Sequence, residues 1–423
     1  FLVGDTVISN PAAAGPATIL SLNDTQVTTS PDTNWAIGQR IERDSASYTA
    51  VTGSPFSVTA SPFTSLDIAK PPMEAYSDYW ARVQYATTNS QAATSEWSAW
   101  SGFTTGSLVP GGTATLIASP GTGSSFGQIA YNGTTYALGS NPLSGGTGVV
   151  IYSTDLATWG SGGLGGTFPG GVPSVVWTGT KFVAGAYTPS GTSSIFTGTT
   201  GSSWSLASST PPINSSNTGF AQKSATEYFI GAGNTYAYST DSGANWATYT
   251  STDVIPGNDV RARAYKNTFF GGNYIVSAYN DTTSTPVIIY SSTGTSNSWT
   301  QVSLPLGTGL IYSLDKSPTA VVGVGTTDDS SGLAFFRSTD VTTWSVVQTV
   351  SSSGGFFCVT YGAGVFIAVG SNGLVFVSTD DGLTWTDQTS SVNLPSVTFH
   401  GVNYVNSMWL ANDGNNSNIY QLI

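Results

Sequence analysis

One eight-residue word, repeated along the chain, limits what this sequence can fold into more than any other feature. It stands complete at Ser378-Thr379-Asp380-Asp381-Gly382-Leu383-Thr384-Trp385 and at Ser239-Thr240-Asp241-Ser242-Gly243-Ala244-Asn245-Trp246. Two copies are one residue shorter, Ser153-Thr154-Asp155-Leu156-Ala157-Thr158-Trp159 and Ser338-Thr339-Asp340-Val341-Thr342-Thr343-Trp344. Residues 197–204 and 291–299 keep the terminal Trp but not the Asp. Successive Trp residues lie 45, 42, 53, 45 and 41 positions apart. That is the period of a unit that cannot bury a core alone and stacks on its neighbours.

Each copy follows a short apolar run such as Leu374-Val375-Phe376-Val377 and leads into a polar segment. The pattern is that of a hairpin corner. The Asp accepts hydrogen bonds from backbone N–H groups of the turn, Gly supplies a positive φ, and Trp opens the returning strand and buries a large ring. The word resembles the Asp-box, or BNR, repeat S-x-D-x-G-x-x-W of sialidases and many other β-propellers. The resemblance implies structural roles for Ser153, Asp155, Trp159, Trp204, Ser239, Asp241, Gly243, Trp246, Trp299, Ser338, Asp340, Trp344, Ser378, Asp380, Gly382 and Trp385. It implies the architecture and is nearly silent about activity.

From about residue 107 each unit reads as strand, polar turn, strand, third strand and corner, with instances at 129–139, 175–184, 220–231, 264–277, 311–325 and 359–370. Asn-Gly and Thr-Gly between alternating apolar residues are hairpin signals. A seventh unit occupies 397–422 and offers three strands without a fourth, whereas residues 113–118 form a strand that precedes the first unit. An all-β, seven-bladed β-propeller over 107–423 is therefore expected, its last blade completed by the N-terminal strand at 113–118. Blades of about 40–50 residues have room for four strands. The 53-residue unit is expected to carry its insertion around Asn267 to Asn273.

Residues 1–15 read as an extended lead-in, and 16–106 as a separate block of short alternating strands, the size of one β-sandwich. This block resembles a fibronectin type III domain in its early Trp35, its Tyr79-x-x-Arg82-x-x-Tyr85 strand and its Trp97-Ser98-Ala99-Trp100-Ser101 closing strand. The resemblance implies a cation–π ladder of Arg82 against Trp97 or Trp100. A spacer role is expected rather than that of a cytokine-receptor-like module.

Charge narrows the partners. Only 8% of residues are charged, the net charge is −12 and no basic run occurs, so a footprint for nucleic acid or anionic membrane is missing. Twelve Trp, 20 Tyr and 19 Phe supply the buried area that a disordered chain lacks. The single Cys358 reads as a small buried side chain and leaves the redox compartment open. No apolar stretch approaches the ~18 residues of a membrane-spanning helix. The chain opens at Phe1, which reads as a processed product or a piece of a longer protein.

Candidate chemistry is sparse. Sialidases hold the substrate carboxylate with three arginines; here the propeller has Arg261, Arg263 and Arg337, two of them on one strand, and a single Glu227. An arginine triad is not expected to assemble. Other glycoside hydrolysis needs two carboxylates across the scissile bond. Asp155, Asp241, Asp340 and Asp380 are committed to corners, leaving Asp253, Asp259, Asp281, Asp315, Asp328, Asp329, Asp381, Asp387 and Asp413. His400 and Cys358 alone do not make a zinc or iron site. Calcium at Asp328-Asp329 or at Asp413 with Asn415 matches no loop signature. No metal or cofactor is expected. The corner Trp residues are expected to pack within their own blades, while Trp177, Trp409 and Tyr404 are candidates for stacking on sugars.

The resulting expectation is a non-enzymatic virion protein, a phage tail or surface-fibre component by resemblance of style. It would be oligomeric in its particle, contacting other subunits or a host-surface glycan, without nucleic acid and without membrane insertion. The alternatives are a secreted glycan-cleaving propeller enzyme and a bacterial cell-surface adhesin or assembly factor.

Overall fold

Alternating apolar and polar residues joined by Gly-, Asn- and Thr-bearing turns dictate short antiparallel strands. The computed structural model describes residues 113–422 except 121–124, 141–148, 165–170, 187–193, 208–217, 306–307, 328–331, 353 and 415–417; of residues 1–112 it describes the backbone of eight short strands. The chain divides into two compact units, Phe1–Leu108 and Val109–Ile423. The expected fibronectin-like sandwich rests on residues outside the described set, as do Trp35, Trp97, Trp100 and the side chain of Arg82.

Within the second unit, seven antiparallel sheets follow one another, the first six with their strands in chain order from the axis outward. Blade 1 comprises Ser125–Tyr131, Tyr136–Ser140, Val149–Ser153 and Gly160–Gly162. Blade 2 comprises Ser174–Trp177, Phe182–Ala186, Ser194–Gly198 and Ser205–Leu206. Blade 3 comprises Thr218–Gln222, Tyr228–Ala232, Thr235–Ser239 and Ala247–Thr250. Blade 5 comprises Thr308–Lys316, Val321–Thr327, Gly332–Ser338 and Ser345–Ser351. Blade 6 comprises Phe356–Gly362, Val365–Gly370, Val375–Ser378 and Thr386–Asp387. The fold is a seven-bladed β-propeller.

Blade 4 departs from the pattern. Its first strand is split into Val260–Ala262 and Thr268–Phe270, both paired with Asn273–Asn280, and Thr285–Ser291 and Thr300–Ser303 follow. Ala262 pairs with Ala278 and Thr268 with Ile275, so six steps on one strand oppose three on the other. The extra residues therefore bulge out at 263–267, not at 267–273 where unit length alone had placed them. The bulge turns to the next blade: Tyr265 N donates to Tyr312 O at 2.7 Å and Leu314 N to Lys266 O at 3.0 Å. Those bonds satisfy backbone groups that leaving the sheet would otherwise orphan.

Blade 7 comprises Phe399–Val405, Met408–Asp413 and Ile419–Leu422, and its fourth strand is Thr115–Ala118. Ile419 opposes Ala118 and Gln421 opposes Thr115 in antiparallel register. The expected closure is present, and it removes a sheet edge that would otherwise template pairing with another chain.

Successive strands alternate in direction, so turns from first to second and from third to fourth strand share one face of the ring, here called the hairpin face. The second-to-third turns and the connections between blades share the other, the loop face. The corner words all lie on the hairpin face.

The corner Trp rings occupy the clefts between blades, a correction to their expected packing inside single blades. Trp204 lies in a core with Ala137 and Val150 of blade 1, Trp246 with Val183 and Ile195 of blade 2, and Trp299 with Phe229 and Tyr236 of blade 3. Trp344 joins Ile275 and Ile288 of blade 4, Trp385 joins Val322 and Phe335 of blade 5, and Trp159 packs on the core of Leu410 and Ile419 of blade 7. The physical reason is thickness: one twisted sheet has no interior, so its large rings are buried only against the next sheet.

Candidate functional site

The corners are built for stability. In blade 6 Ser378 Oγ donates to Asp380 Oδ1 at 2.9 Å, Gly382 N donates to Ser378 Oγ at 2.9 Å, and Thr384 N donates to Asp380 Oδ1 at 2.9 Å. Blade 3 repeats the set through Ser239, Asp241, Gly243 and Asn245. Gly382 and Gly243 have φ of +83° and +79°, and a Cβ on Gly382 would fall 2.4 Å from Val322 Cγ2 of blade 5. Glycine thus serves the turn and lets the corner rest on the preceding blade.

The shortened corners solve the same turn differently. Leu156 and Val341 take φ of +63° and bury their side chains in the inter-blade cores. Asp155 and Asp340 still accept from the N–H groups two and three positions on, at 2.7–2.9 Å. In blade 4, Ser291 Oγ accepts from Thr293 N and Gly294 N without an Asp. Backbone N–H of Thr158, with the Ser153 hydroxyl, holds Asp155 below its ordinary 3.8. Backbone N–H of Thr343 does the same for Asp340. At Asp241 and Asp380 burial pushes the carboxyl up, but hydrogen bonds from Asn245 and from Thr384 prevail and the net direction is down.

A surface with different chemistry lies on the ring axis. First strands have no sheet neighbour on their inner edge, and side chains of adjacent blades complete their hydrogen bonding. Asn267 Nδ2 of blade 4 donates to Gly219 O of blade 3 at 2.9 Å. Val359 N of blade 6 donates to Ser313 Oγ of blade 5 at 3.1 Å. Thr360 Oγ1 of blade 6 donates to Val402 O of blade 7 at 2.6 Å. Ile129 N of blade 1 donates to Asn403 Oδ1 of blade 7 at 3.0 Å.

Lys266, on the blade 4 bulge, reaches past blade 5 to blade 6. Its ammonium donates to Asp315 Oδ2 at 2.7 Å, Thr360 Oγ1 at 3.0 Å and Val359 O at 3.2 Å. Asp315 Oδ2 also accepts from Tyr361 N at 2.9 Å, and Oδ1 from Lys316 N at 2.8 Å. The side chains of this pair are 11% and 17% exposed. An ion pair taken out of water in this way is tolerable because its remaining valences are filled.

Beside it is an axial cavity of about 310 Å³, lined from the first strands of blades 1, 2, 3, 6 and 7 and by Lys266. Tyr131, Trp177 and Tyr404 give it aromatic walls, and Gln128, Gln222 and Asn403 give it amides. Each of the three rings is backed by one from the second strand of its own blade: Tyr131 by Tyr136 at 4.4 Å, Trp177 by Phe182 at 4.8 Å, Tyr404 by Trp409 at 5.0 Å between centroids. Register explains the pairing, because Tyr131, Trp177 and Tyr404 oppose those residues directly across the hairpin. Tyr361 on Phe366 in blade 6 repeats it.

Nearer the loop face stands a second aromatic group. Tyr265, Tyr312, Phe357 and His400 come from blades 4, 5, 6 and 7, with neighbouring centroids 5.0–6.3 Å apart. Tyr312, Phe357 and His400 each sit at a register shift of their first strand, where a bulge re-aims a side chain.

The charged candidates are dispersed. Arg261 engages Asp259 at 2.7 Å and Asp281 at 2.9 Å, and Arg263 engages Asp281 at 3.8 Å. Arg337 reaches the corner of the next blade, to Asp381 Oδ2 at 3.1 Å. Glu227 pairs with Lys223 at 2.7 Å. Of the carboxylates left over by the corners, Asp253 accepts from Thr250 N, Asp387 from Thr389 N and Asp413 from Asn418. Asp328, Asp329 and Asn415 lie outside the described residues. Cys358 is buried, as expected. Among the described residues no three His, Cys, Asp or Glu side chains cluster closely enough to hold a metal ion, and no helix is long and apolar enough to cross a membrane.

Trp177 and Tyr404 were singled out by sequence and do line the cavity, whereas Trp409 is 5% exposed behind Tyr404. Lys266, Gln128, Tyr131 and Asn403 were missed. The recurrence of an aromatic at the end of a first strand, in Tyr131, Trp177, Tyr361 and Tyr404, was the available signal.

Solved structures with the same fold carry little sequence in common with this chain. YCF48 from Cyanidioschyzon merolae is 14% identical, with a TM-score of 0.51 over 73% of this chain and 98% of its own. YCF48 bound to D1 peptide is 15% identical, with a TM-score of 0.53 over 73% and 95%. A chain of the Mitotic Checkpoint Complex is 10% identical, with a TM-score of 0.52 over 75% and 96%. No family model matches the chain, and no curated protein matches it. Similarity at this level establishes the propeller and nothing finer.

Proposed function

We propose that the chain is a non-catalytic recognition protein, an Asp-box propeller carried on a fibronectin-like spacer. We place it in a virion tail or surface fibre, where it contacts host-surface glycan or neighbouring subunits. One observation carries the reading: the arginines, the corner aspartates and Lys266 of the described propeller are already engaged, and the other side chains that line its axial cavity are neutral. The three arginines meet carboxylates, the corner aspartates are held by their own turns, and Lys266 is held by Asp315. Aromatic rings and amides remain, groups suited to bind and orient a ligand. A propeller of this fold seen with a bound peptide, YCF48 with D1 peptide, supports recognition as work that the scaffold can do.

The test uses the whole purified chain on a glycan array, on host-type cell surfaces and in a reducing-end release assay with extracted polysaccharides. Binding without release is expected. Release of reducing ends, abolished by changing one carboxylate, would overturn the reading in favour of a glycan-cleaving enzyme. Immunogold labelling of particles and of cell envelopes separates a virion component from a cell-surface adhesin.

A further inference from the structure

Resting on that recognition reading, we propose that the axial cavity near the hairpin face binds one uncharged pyranose ring, or two linked ones. At about 310 Å³ it falls at the small end of the roughly 300–1,000 Å³ usual for small-molecule sites. Its walls alternate two chemistries that a sugar requires. Tyr131, Trp177 and Tyr404 present rings that their own hairpins hold in place. A pyranose face of weakly positive C–H groups lies favourably on the negative face of such a ring. Preorganised rings also lose little conformational entropy on binding.

The hydroxyl partners are amides. Gln128 lines the cavity and makes no side-chain hydrogen bond among the described residues, which leaves its amide available to a ligand. Gln222 uses its N–H₂ on the Tyr228 hydroxyl at 2.7 Å and on Ser224 O at 3.3 Å, which leaves its carbonyl as an acceptor. Asn403 is locked by Ile129 N and shapes the wall.

Charge selects among sugars. The one cation on the wall, Lys266, has three N–H donors and spends them on Asp315, Val359 and Thr360. It offers nothing to a ligand carboxylate, so a uronic or sialic acid would bring a charge into the cavity without a partner. An extended peptide fits less well. Added as a strand it needs an open edge, and the inner edges of blades 6, 7 and 1 are already occupied, by Ser313 and Asp315, by Thr360 and by Asn403.

The experiment is saturation-transfer NMR and calorimetry on the whole chain. The probes are methyl glucoside, methyl galactoside, N-acetylglucosamine, galacturonate and N-acetylneuraminate. At least one neutral probe is expected to bind at least tenfold more tightly than either acid. Gln128→Ala and Trp177→Ala should each weaken it at least tenfold, and Thr384→Ala, at a remote corner, should leave it unchanged. Gln128 makes no side-chain hydrogen bond among the described residues, so its variant stays informative even if Trp177→Ala unfolds. Preference for an acidic sugar, or unchanged affinity in Gln128→Ala, overturns the proposal. Binding of the chain to cells or particle proteins with no affinity for any neutral sugar also overturns it, while sparing the recognition reading. Failure to bind any surface and any sugar overturns both.

Discussion

Two tryptophans at equivalent corners differ in one bond, and that difference gives the sharpest test of how the blades are held together. Trp246 is 3% exposed and its Nε1 donates to Gly243 O at 3.0 Å. Trp385 is 5% exposed, stacks on Phe335 of the preceding blade at 4.3 Å and 20°, and leaves its buried Nε1 without a partner. Replacing either by Phe removes roughly 40 Å² of apolar surface, about 1 kcal/mol at ~25 cal/mol per Å². Trp246→Phe also orphans a buried carbonyl, at a cost of about 1–3 kcal/mol. Trp385→Phe orphans nothing and removes an unsatisfied donor. Trp246→Phe should therefore destabilise by about 2–4 kcal/mol, and Trp385→Phe by no more than about 1 kcal/mol. The two midpoints of urea unfolding followed by far-UV circular dichroism, with the slopes compared to check that the transition stays the same, give the difference. Equal losses, or a larger loss at Trp385, would refute the assignment of hydrogen bonding as the distinguishing term.

Three further outcomes follow from the same geometry. Lys266→Met strands a largely buried Asp315 carboxylate and should destabilise by about 3–5 kcal/mol, whereas Lys266→Met with Asp315→Leu should recover at least half of that; no recovery in the double variant would show that the pair is not coupled. The corner carboxylates of Asp155, Asp241, Asp340 and Asp380 titrate below 3.8 when folded. Their stabilisation is complete above that value and is lost as pH falls through the folded-state value, so the melting temperature should be level from about pH 7 to 5 and fall below about pH 4. Asp155→Asn with Asp340→Asn should shrink that acid-side fall, and an unaltered profile would contradict it. Replacing residues 115–118 by Gly-Ser repeats opens the edge of Ile419–Leu422. Amide exchange there should accelerate and self-association should appear, while unchanged exchange would mean that the strand does not close the ring.

The repeat period and the alternation within each unit sufficed for the blade count and for the closing strand. Both depend on local rules: turn residues at fixed offsets, apolar residues at every second position, and one unit short of a strand at one end with a spare strand at the other. The same locality explains the errors. Nothing in Ser378 to Trp385 says whether the ring of Trp385 is covered by its own blade or by Phe335 of the blade before, because that depends on stacking of sheets far apart in the chain. Unit length gave blade 4 an insertion but not its position, since the bulge at 263–267 is held in place by Tyr312 and Leu314 of another blade.

The axial cavity was the least legible part. Gln128, Trp177, Gln222 and Tyr404 are spread over some 280 positions of sequence, and only ring closure brings blade 7 beside blade 1. Sequence by itself determined what each blade is, because backbone geometry and burial are set by near neighbours. Tertiary structure alone decided what the axis can bind, because an axis exists only after seven separate sheets have been arranged around it.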